Sequence, residues 1–182
     1  MDQIEIFAPA SVANVSCGFD VLGFCLEPIG DIMRVTKTKT PGVTIGSVTG
    51  QKLPTDPLKN VASVAVLSLL KSFKSSYGFR IDIDKKIKPG SGIGSSAASA
   101  AGAVFAVNYL LGAPFSRKEL IQFAMAGEAL ASGAKHADNL APVLLGGFTL
   151  VRSNKSLDVI KLPSPPDLVA TIIHPKIELK TI

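Results

Sequence analysis

The 182-residue sequence has no tryptophan, two cysteines and few other aromatic residues. Two cysteines without a partner pattern exclude a disulfide framework and a thiolate zinc site. No stretch approaches the roughly 18 uninterrupted apolar residues of a membrane helix. The first residues, MDQIEIFAPAS, lack the basic start and apolar core of a signal peptide. We therefore expect a soluble cytoplasmic protein that has no membrane partner and a mostly aliphatic core.

The charge of the chain is modest, at +5. Its densest basic run is Lys85, Lys86 and Lys88, without the interleaved aromatics of a single-strand nucleic-acid binder. We expect no nucleic-acid partner. A solvated strand end explains the run, and steering of a phosphorylated substrate is the alternative.

Apolar alternation predicts strands along the chain. Ile4, Ile6 and Ala8 alternate with polar residues and predict a strand ending at Pro9. Similar patterns predict further strands at 31–38, 43–48, 79–87, 146–152 and 168–174, the last two joined by a proline-rich bend. Several neighbours look antiparallel, so the strand pattern favours an α+β fold.

Three segments predict helices. Dense apolar residues over 61–73 follow Asn60, a natural N-cap, and Gly78 is the expected stop. An alanine-rich stretch runs from the glycine loop to about Gly112. Ser116 and Glu119 form a capping box that opens a third helix, which Gly133 closes.

The segment PGSGIGSSAAS, residues 89–99, combines alternating glycines with paired serines at a helix start. Glycines let the backbone approach a ligand, and the N–H groups of a helix N-terminus attract anions. The segment matches neither GxxxxGK[ST] nor GxGxxG. It predicts a phosphate site, with a tight strand–helix turn as the alternative.

Two further segments place polar residues in apolar surroundings. In residues 10–27, Asn14 and Asp20 follow a predicted strand end, and each needs a partner, a ligand or a local Asx turn. In residues 127–142, Glu128 lies in an apolar helical stretch, and a buried carboxylate there requires a cation. His136, Asp138 and Asn139 crowd the following loop, which could also be a plain helix end.

Two other chemistries fit poorly. Only two histidines are present, and no thiolate has metal spacing, so zinc is disfavoured. A hydrolase triad could combine Ser95 or Ser96 with His136 and either Asp138 or Asp20, but no GxSxG elbow is present.

These three segments, in this order, resemble the GHMP kinases, the superfamily of galactokinase, homoserine kinase, mevalonate kinase and phosphomevalonate kinase. The superfamily motif PxxxGLGSSAA is matched from Pro89 to Ala98, with Ile93 as a conservative variant. Residues 9–23, 55–61 and 133–142 resemble homoserine kinases in particular. The resemblance covers essentially the whole chain. It implies the α+β GHMP kinase N-terminal domain, similar to the second domain of ribosomal protein S5 and containing a left-handed βαβ unit.

The resemblance implies ATP and Mg²⁺ as cofactors and L-homoserine as substrate. It assigns the ATP phosphates to the backbone of a loop, namely Pro89, Gly90, Ser91, Gly92, Ile93, Gly94, Ser95 and Ser96. It puts Asn60 and Val61 beside the adenine, and Ser96 and Glu128 on Mg²⁺. It lines the homoserine pocket with Asn14, Asp20, His136 and Asn139.

Within that pocket, the resemblance pairs Asp20 with the substrate ammonium and puts Asn139 near the hydroxyl. The catalytic roles fall to Asn139, Glu128 and Ser96. Other superfamily members have an aspartate base near the Asn139 position, and asparagine cannot take a proton. Catalysis would then rest on alignment and charge stabilisation.

The resemblance also divides the chain into an ATP-binding domain over 1–162 and a linker with the start of a second domain over 163–182. The third superfamily motif, a GSGPS-like segment, and the arginines that bind the substrate carboxylate are missing from the 182 residues. We expect these residues alone to be inactive.

Several alternatives stay open from the sequence. They are a homodimer, another small alcohol such as mevalonate or a diphosphocytidyl polyol, and a non-catalytic ATP-binding module. A Rossmann oxidoreductase is a distant alternative because GxGxxG does not follow the first strand.

Overall fold

A computed structural model, which describes residues 1–173, shows one six-stranded sheet with four helices in the described residues. The strands are β1 (Gln3–Val15), β2 (Gly18–Thr38), β3 (Val43–Thr49), β4 (Gly78–Asp84), β5 (Phe148–Ser153) and β6 (Asp158–Leu162). The helices are α1 (Val61–Ser72), α2 (Ser95–Leu110), α3 (Arg117–Ser132) and α4 (Leu140–Leu145). The sheet order is β3-β4-β2-β5-β6, and β1 pairs with β2. The α+β prediction is confirmed.

The hairpin of β1 and β2 is longer than predicted. The expected strand end at Pro9 is wrong, because β1 continues to Val15 with register shifts after Pro9 and after Ala13. Proline lacks an N–H, but β1 pairs with β2 alone, so the missing donor is tolerated. The strand predicted at 31–38 is the second half of β2. Residues 10–27, which contain Asn14 and Asp20, therefore form an antiparallel ribbon with a tight turn at its end.

The unit β3–α1–β4 places two parallel strands side by side. Asn60 is the N-cap of α1, as predicted, and its Oδ1 accepts a hydrogen bond of 3.0 Å from the Ala62 N–H. Gly78 does not end this helix. The helix stops at Ser72, and Gly78 begins β4. The left-handed crossover stays a prediction.

Small residues let α2 lie close to the sheet. A Cβ on Gly102 would lie 2.9 Å from the Ala8 Cβ and 2.7 Å from the Met33 Sδ. Both of these partners are buried. The alanine-rich sequence therefore fixes the depth of α2 and, through it, the position of the glycine loop that precedes it.

The later part of the chain was predicted less well. The capping box of Ser116 and Glu119 and the end of α3 at Gly133 are confirmed, and β5 matches the strand predicted at 146–152. The short helix α4 and strand β6 were not predicted. No strand forms over residues 168–173, so that prediction is wrong there, and His174 lies outside the described residues.

The last described strand ends at Leu162. The boundary between domains at 162 and 163 stays a prediction. Of the helices that the structure describes, none has the length and apolar character needed to span a bilayer.

Candidate active site

The glycine loop leads into α2 through left-handed backbone. Gly90, Gly92 and Gly94 have φ values of 73°, 76° and 67°, a region that side chains with a Cβ disfavour. Gly94 is the N-cap of α2 and provides no side-chain hydrogen bond to it. The first N–H groups of the helix are therefore free of a side-chain cap and can bind an anion.

A cleft of about 800 Å³ opens in front of this loop. It brings together the loop, the start of α1, one face of α3 and the ends of β1 and α4. The predicted site residues on its wall are Asn14, Asn60, Val61, Pro89, Gly90, Gly92, Gly94, Ser95, Ser96, Glu128 and Asn139. Ser91 and Ile93 belong to the loop but do not line the cleft. A second cavity, of about 570 Å³, includes Ser116 and Asp158 and none of these site residues.

Ser96 and Glu128 meet on the cleft wall. The Ser96 hydroxyl donates a 2.8 Å hydrogen bond to the Glu128 Oε2. Burial raises the pKa of the Glu128 carboxyl above its usual value, the Ser96 bond opposes that rise, and nearby Asp138 adds to it. A partly buried carboxylate beside a hydroxyl at a cleft is an oxygen donor pair that suits a hard divalent cation. These residues fit Mg²⁺.

The start of α1 forms another side of the cleft. Asn60 uses its Oδ1 as the helix cap and its Nδ2 to donate a 2.8 Å bond to the Pro54 carbonyl. Its side chain is therefore committed to the loop before α1. An adenine at the start of α1 would therefore contact backbone groups and apolar side chains such as Val61, and not the Asn60 side chain.

Asn14, Asp20 and His136 lie close together at the tip of the hairpin. Asn14 and Asp20 both have φ of 59°, and the Asn14 Oδ1 accepts a 2.8 Å bond from the Asp20 N–H. The Asp20 Oδ1 lies 3.6 Å from the His136 Nδ1. Asn14 lines the cleft, whereas Asp20 and His136 stand beside it, with side chains 41% and 43% exposed.

A buried ion pair lies beneath the loop, and the sequence did not predict it. Lys85 and Asp31 are both almost fully buried, with their charged atoms 2.5 Å apart. Lys85 also donates to the Ser95 carbonyl and the Ser99 hydroxyl. Burial lowers the pKa of Lys85, and the Asp31 charge opposes that shift. The interpretation of Lys85 as part of a solvated strand end is therefore wrong.

The alternation of β2 contained a signal for that pair. Asp31 shares the inward face of β2 with Met33 and Val35, so a buried carboxylate was foreseeable. Its other oxygen accepts backbone bonds of 2.8 Å from Lys86 and 2.9 Å from Ile87. The pair thus connects the central strand to the segment that leads into the loop.

Ser11 is a second residue that the sequence did not single out. It is completely buried, its hydroxyl donates a 2.9 Å bond to the Asn139 Oδ1, and its N–H donates to the Ile93 carbonyl at 3.2 Å. A Cβ on Gly94 would lie 2.0 Å from the Ser11 Oγ. The register shift after Pro9, which no local pattern announces, puts Ser11 at this position.

The hydrolase alternative lacks its hydrogen-bond chain. The Ser96 hydroxyl donates to Glu128, and the Ser95 hydroxyl donates to the Ile87 carbonyl. His136 faces Asp20 instead. Within residues 1–173, neither serine is bonded to His136, so no Ser–His–Asp triad forms.

Known proteins resemble both the sequence and the fold. Residues 60–147 match the family described as the GHMP kinases N terminal domain. The homoserine kinase of Chloroherpeton thalassium is 47% identical, with all of this chain and 60% of that protein covered. The homoserine kinase of Methanococcus maripaludis is 42% identical at the same coverage. The chain therefore spans about 60% of the length of the relatives it matches.

Solved structures agree on the fold. The crystal structure of homoserine kinase from Cytophaga hutchinsonii has a TM-score of 0.93 and 51% identity, covering all of this chain and 58% of that one. The mevalonate kinase of Methanococcus jannaschii, at 17% identity, has a TM-score of 0.67 and covers 89% of this chain and 56% of its own. Residues 60–147 therefore match the GHMP kinases N terminal domain, and along its whole length the chain is similar to the N-terminal part of homoserine kinases.

Proposed function

We propose that the protein is an ATP-dependent homoserine kinase, which transfers the γ-phosphoryl group of ATP to the hydroxyl of L-homoserine and forms O-phospho-L-homoserine for threonine biosynthesis. One observation carries the proposal. A single cleft holds an uncapped helix N-terminus after a glycine loop, the Ser96–Glu128 pair and Asn139. The 40–47% identity to homoserine kinases supports the choice of alcohol. Such an enzyme would act in the cytoplasm.

The loop and α2 would bind the triphosphate. The backbone over residues 89–96 curves around the cleft, and the N–H groups at the start of α2 supply donors and the positive end of the helix dipole. Ser96 and Glu128 would hold Mg²⁺. When bound there, Mg²⁺ would neutralise negative charge on the phosphates.

The alcohol would bind between the hairpin tip and α4. Asn14 and Asn139 face the cleft. Asp20 lies next to Asn14, because the Asp20 N–H donates a hydrogen bond to the Asn14 Oδ1. From that rim, the Asp20 carboxylate would pair with the substrate ammonium group, and His136, whose Nδ1 lies 3.6 Å from the Asp20 Oδ1, would orient that carboxylate. We propose that Asn139 lies near the reacting hydroxyl and aligns it.

A coupled ADP-release assay on the full-length protein tests the function. We expect turnover with ATP, Mg²⁺ and L-homoserine, and little with mevalonate or a diphosphocytidyl polyol. Turnover on another alcohol would replace the substrate while keeping the kinase chemistry. ATP binding without ADP release on any alcohol would favour a non-catalytic module and contradict the proposal.

A further inference from the structure

The side chain of Asn139 does not do what an asparagine at a helix start usually does. Asn139 is the N-cap residue of α4, but its side chain makes no capping bond. Asparagine is favoured at this position because its oxygen can accept a bond from the first turn. Here that oxygen, Oδ1, accepts the Ser11 hydroxyl instead. The amide is thus held by a residue from another element and not by its own helix.

The bond to Ser11 decides which end of the amide faces the cleft. The Ser11 hydroxyl is fully buried, and Asn139 Oδ1 is its acceptor among residues 1–173. A reversed amide would offer its NH₂ to the Ser11 oxygen and leave the buried hydroxyl proton without an acceptor in this part of the chain. An unsatisfied buried donor is unfavourable. The oxygen therefore stays with Ser11, and the NH₂ group is left for the cleft.

Ser11 itself has no freedom to release the amide. Its N–H donates to the Ile93 carbonyl of the glycine loop, and its Oγ occupies the space in which a Cβ on Gly94 would lie. The loop backbone thus fixes Ser11 from one side and Asn139 fixes it from the other. The element that would hold the phosphates also sets the orientation of the residue near the alcohol.

We propose that Ser11 is a positioning residue that holds Asn139 as a hydrogen-bond donor toward the alcohol oxygen, a role that rests on the proposed kinase function. Asn139 then neither accepts the hydroxyl proton nor acts as a base. The alcohol oxygen bonds to the γ-phosphorus, the bond from that phosphorus to the ADP oxygen breaks, and the alcohol proton leaves through an oxygen of the transferred phosphoryl group to water. The amide directs the oxygen and takes no proton.

Replacing the Asn139 amide with a carboxylate distinguishes a hydrogen-bond donor to the alcohol oxygen from a hydrogen-bond acceptor. In the full-length protein, Asn139→Asp keeps the size and still accepts the Ser11 hydroxyl, but it removes the NH₂. We expect kcat to fall by about 10²-fold, as when one donor to a reacting oxygen is lost, with the KM for ATP nearly unchanged. Because aspartate could also act as a base, Asn139→Leu, which removes the NH₂ without adding a base, is the second variant. A kcat equal to that of the wild type in either variant overturns the proposal, and a raised kcat in Asn139→Asp is judged by Asn139→Leu, which should still lose about 10²-fold.

Ser11→Ala tests the positioning role. It should lower kcat by about fivefold, the effect of one hydrogen bond of roughly 1 kcal/mol. In the Asn139→Ala background it should have no further effect on kcat, because no amide remains to orient. Additive losses in the double variant would mean that Ser11 acts independently of Asn139 and would overturn the proposal. Ser63→Ala is the matched control, since Ser63 is equally buried and donates to the Pro57 carbonyl. We expect Ser63→Ala to leave kcat unchanged, both in the wild type and in the Asn139→Ala background.

The kinase function and the positioning role can fail separately. If homoserine is not the substrate, the wild type releases no homoserine-dependent ADP, and the same variants are compared on the alcohol that is turned over. A double-mutant cycle of urea unfolding for Ser11→Ala and Asn139→Ala also measures the bond without any substrate. We expect a coupling there, and its absence overturns the proposal whatever the substrate is.

Discussion

At the scale of single residues, Ser96 and Glu128 test the proposed metal site. Replacing either residue with alanine in the full-length protein should lower kcat by about 10²–10³-fold, because a group that stabilises transition-state charge is lost. The free energy of unfolding should change little, since the lost bond joins two side chains on a cleft wall. Glu5→Ala, which removes an exposed carboxylate on β1, is the control. Unchanged kinetics for Glu128→Ala would remove the metal role.

The raised pKa of Glu128 also makes stability depend on pH. Burial favours the protonated carboxyl in the folded protein, so the folded state binds more protons than the unfolded state between the ordinary pKa and the raised one. Stability from this group is present at low pH and declines as pH rises through that window. In Mg²⁺-free buffer, Glu128→Gln should flatten the decline, as measured by urea unfolding at several pH values. An equally steep decline of stability in Glu128→Gln would mean that other titratable groups cause the pH dependence.

Asp20 tests the substrate end of the site. Asp20→Asn should raise the KM for homoserine by about tenfold or more, because the amide cannot replace a charge-assisted bond to the ammonium worth roughly 1.5–3 kcal/mol. ATP affinity should stay nearly intact, since Asp20 is not among the residues of the cleft wall. Kinetics with each substrate varied in turn measure both effects. Loss of ATP binding in this variant would contradict the pocket assignment.

Residue identity alone indicated part of this candidate site. The loop glycines, the serine at the start of α2 and the carboxylate in an apolar helix are local patterns, and the structure brings them to one cleft. Ser11 could not be found in this way, because its position depends on a register shift and its partner, Asn139, lies 128 residues away in the sequence. Contacts over such separations leave no trace in local periodicity.

At the scale of elements, the ion pair of Lys85 and Asp31 joins β2 to the start of α2. Asp31→Asn would leave the Lys85 charge buried and unpaired, so it should destabilise the protein by about 3–5 kcal/mol. Glu5→Ala breaks the exposed pair with Arg34 and should lose less than about 1 kcal/mol. Urea unfolding of both variants makes the comparison. Equal small losses would show that Lys85 finds other compensation.

The elements with strong internal signals were predicted correctly. The capping box, the N-cap at Asn60 and the alanine-rich helix are each determined within a few residues. The elements that were predicted wrongly depend on pairing with strands that are distant in the sequence. Strand β1 passes Pro9 because β2 pairs with it beyond that point, and residues 168–173 alternate without a partner strand among the described residues. Six-residue α4 is too short for a period to show.

At the scale of the whole molecule, the described residues supply no arginine and few cations to the cleft for an amino-acid carboxylate. Its wall contains two lysines within residues 1–173. Lys85 is bonded to Asp31, Ser95 and Ser99, and Lys59 lies 3.8 Å from Asp56. The four arginines of the chain, Arg34, Arg80, Arg117 and Arg152, all lie off this wall. Within residues 1–173 the cleft wall therefore offers the substrate carboxylate one exposed cation, Lys59, and no arginine for a paired bond.

The 182 residues expressed by themselves should then be inactive. Each missing charge-assisted bond to the carboxylate weakens binding by roughly 1.5–3 kcal/mol, so homoserine affinity should fall by orders of magnitude. Val169 and Ile173 are each 87% exposed, which favours association of the isolated chain. We expect light scattering to show oligomers, ATP to bind weakly, and a coupled assay to detect no homoserine-dependent ADP release. Near-native turnover by these residues would mean that the site is complete within them and that no cation from elsewhere is needed.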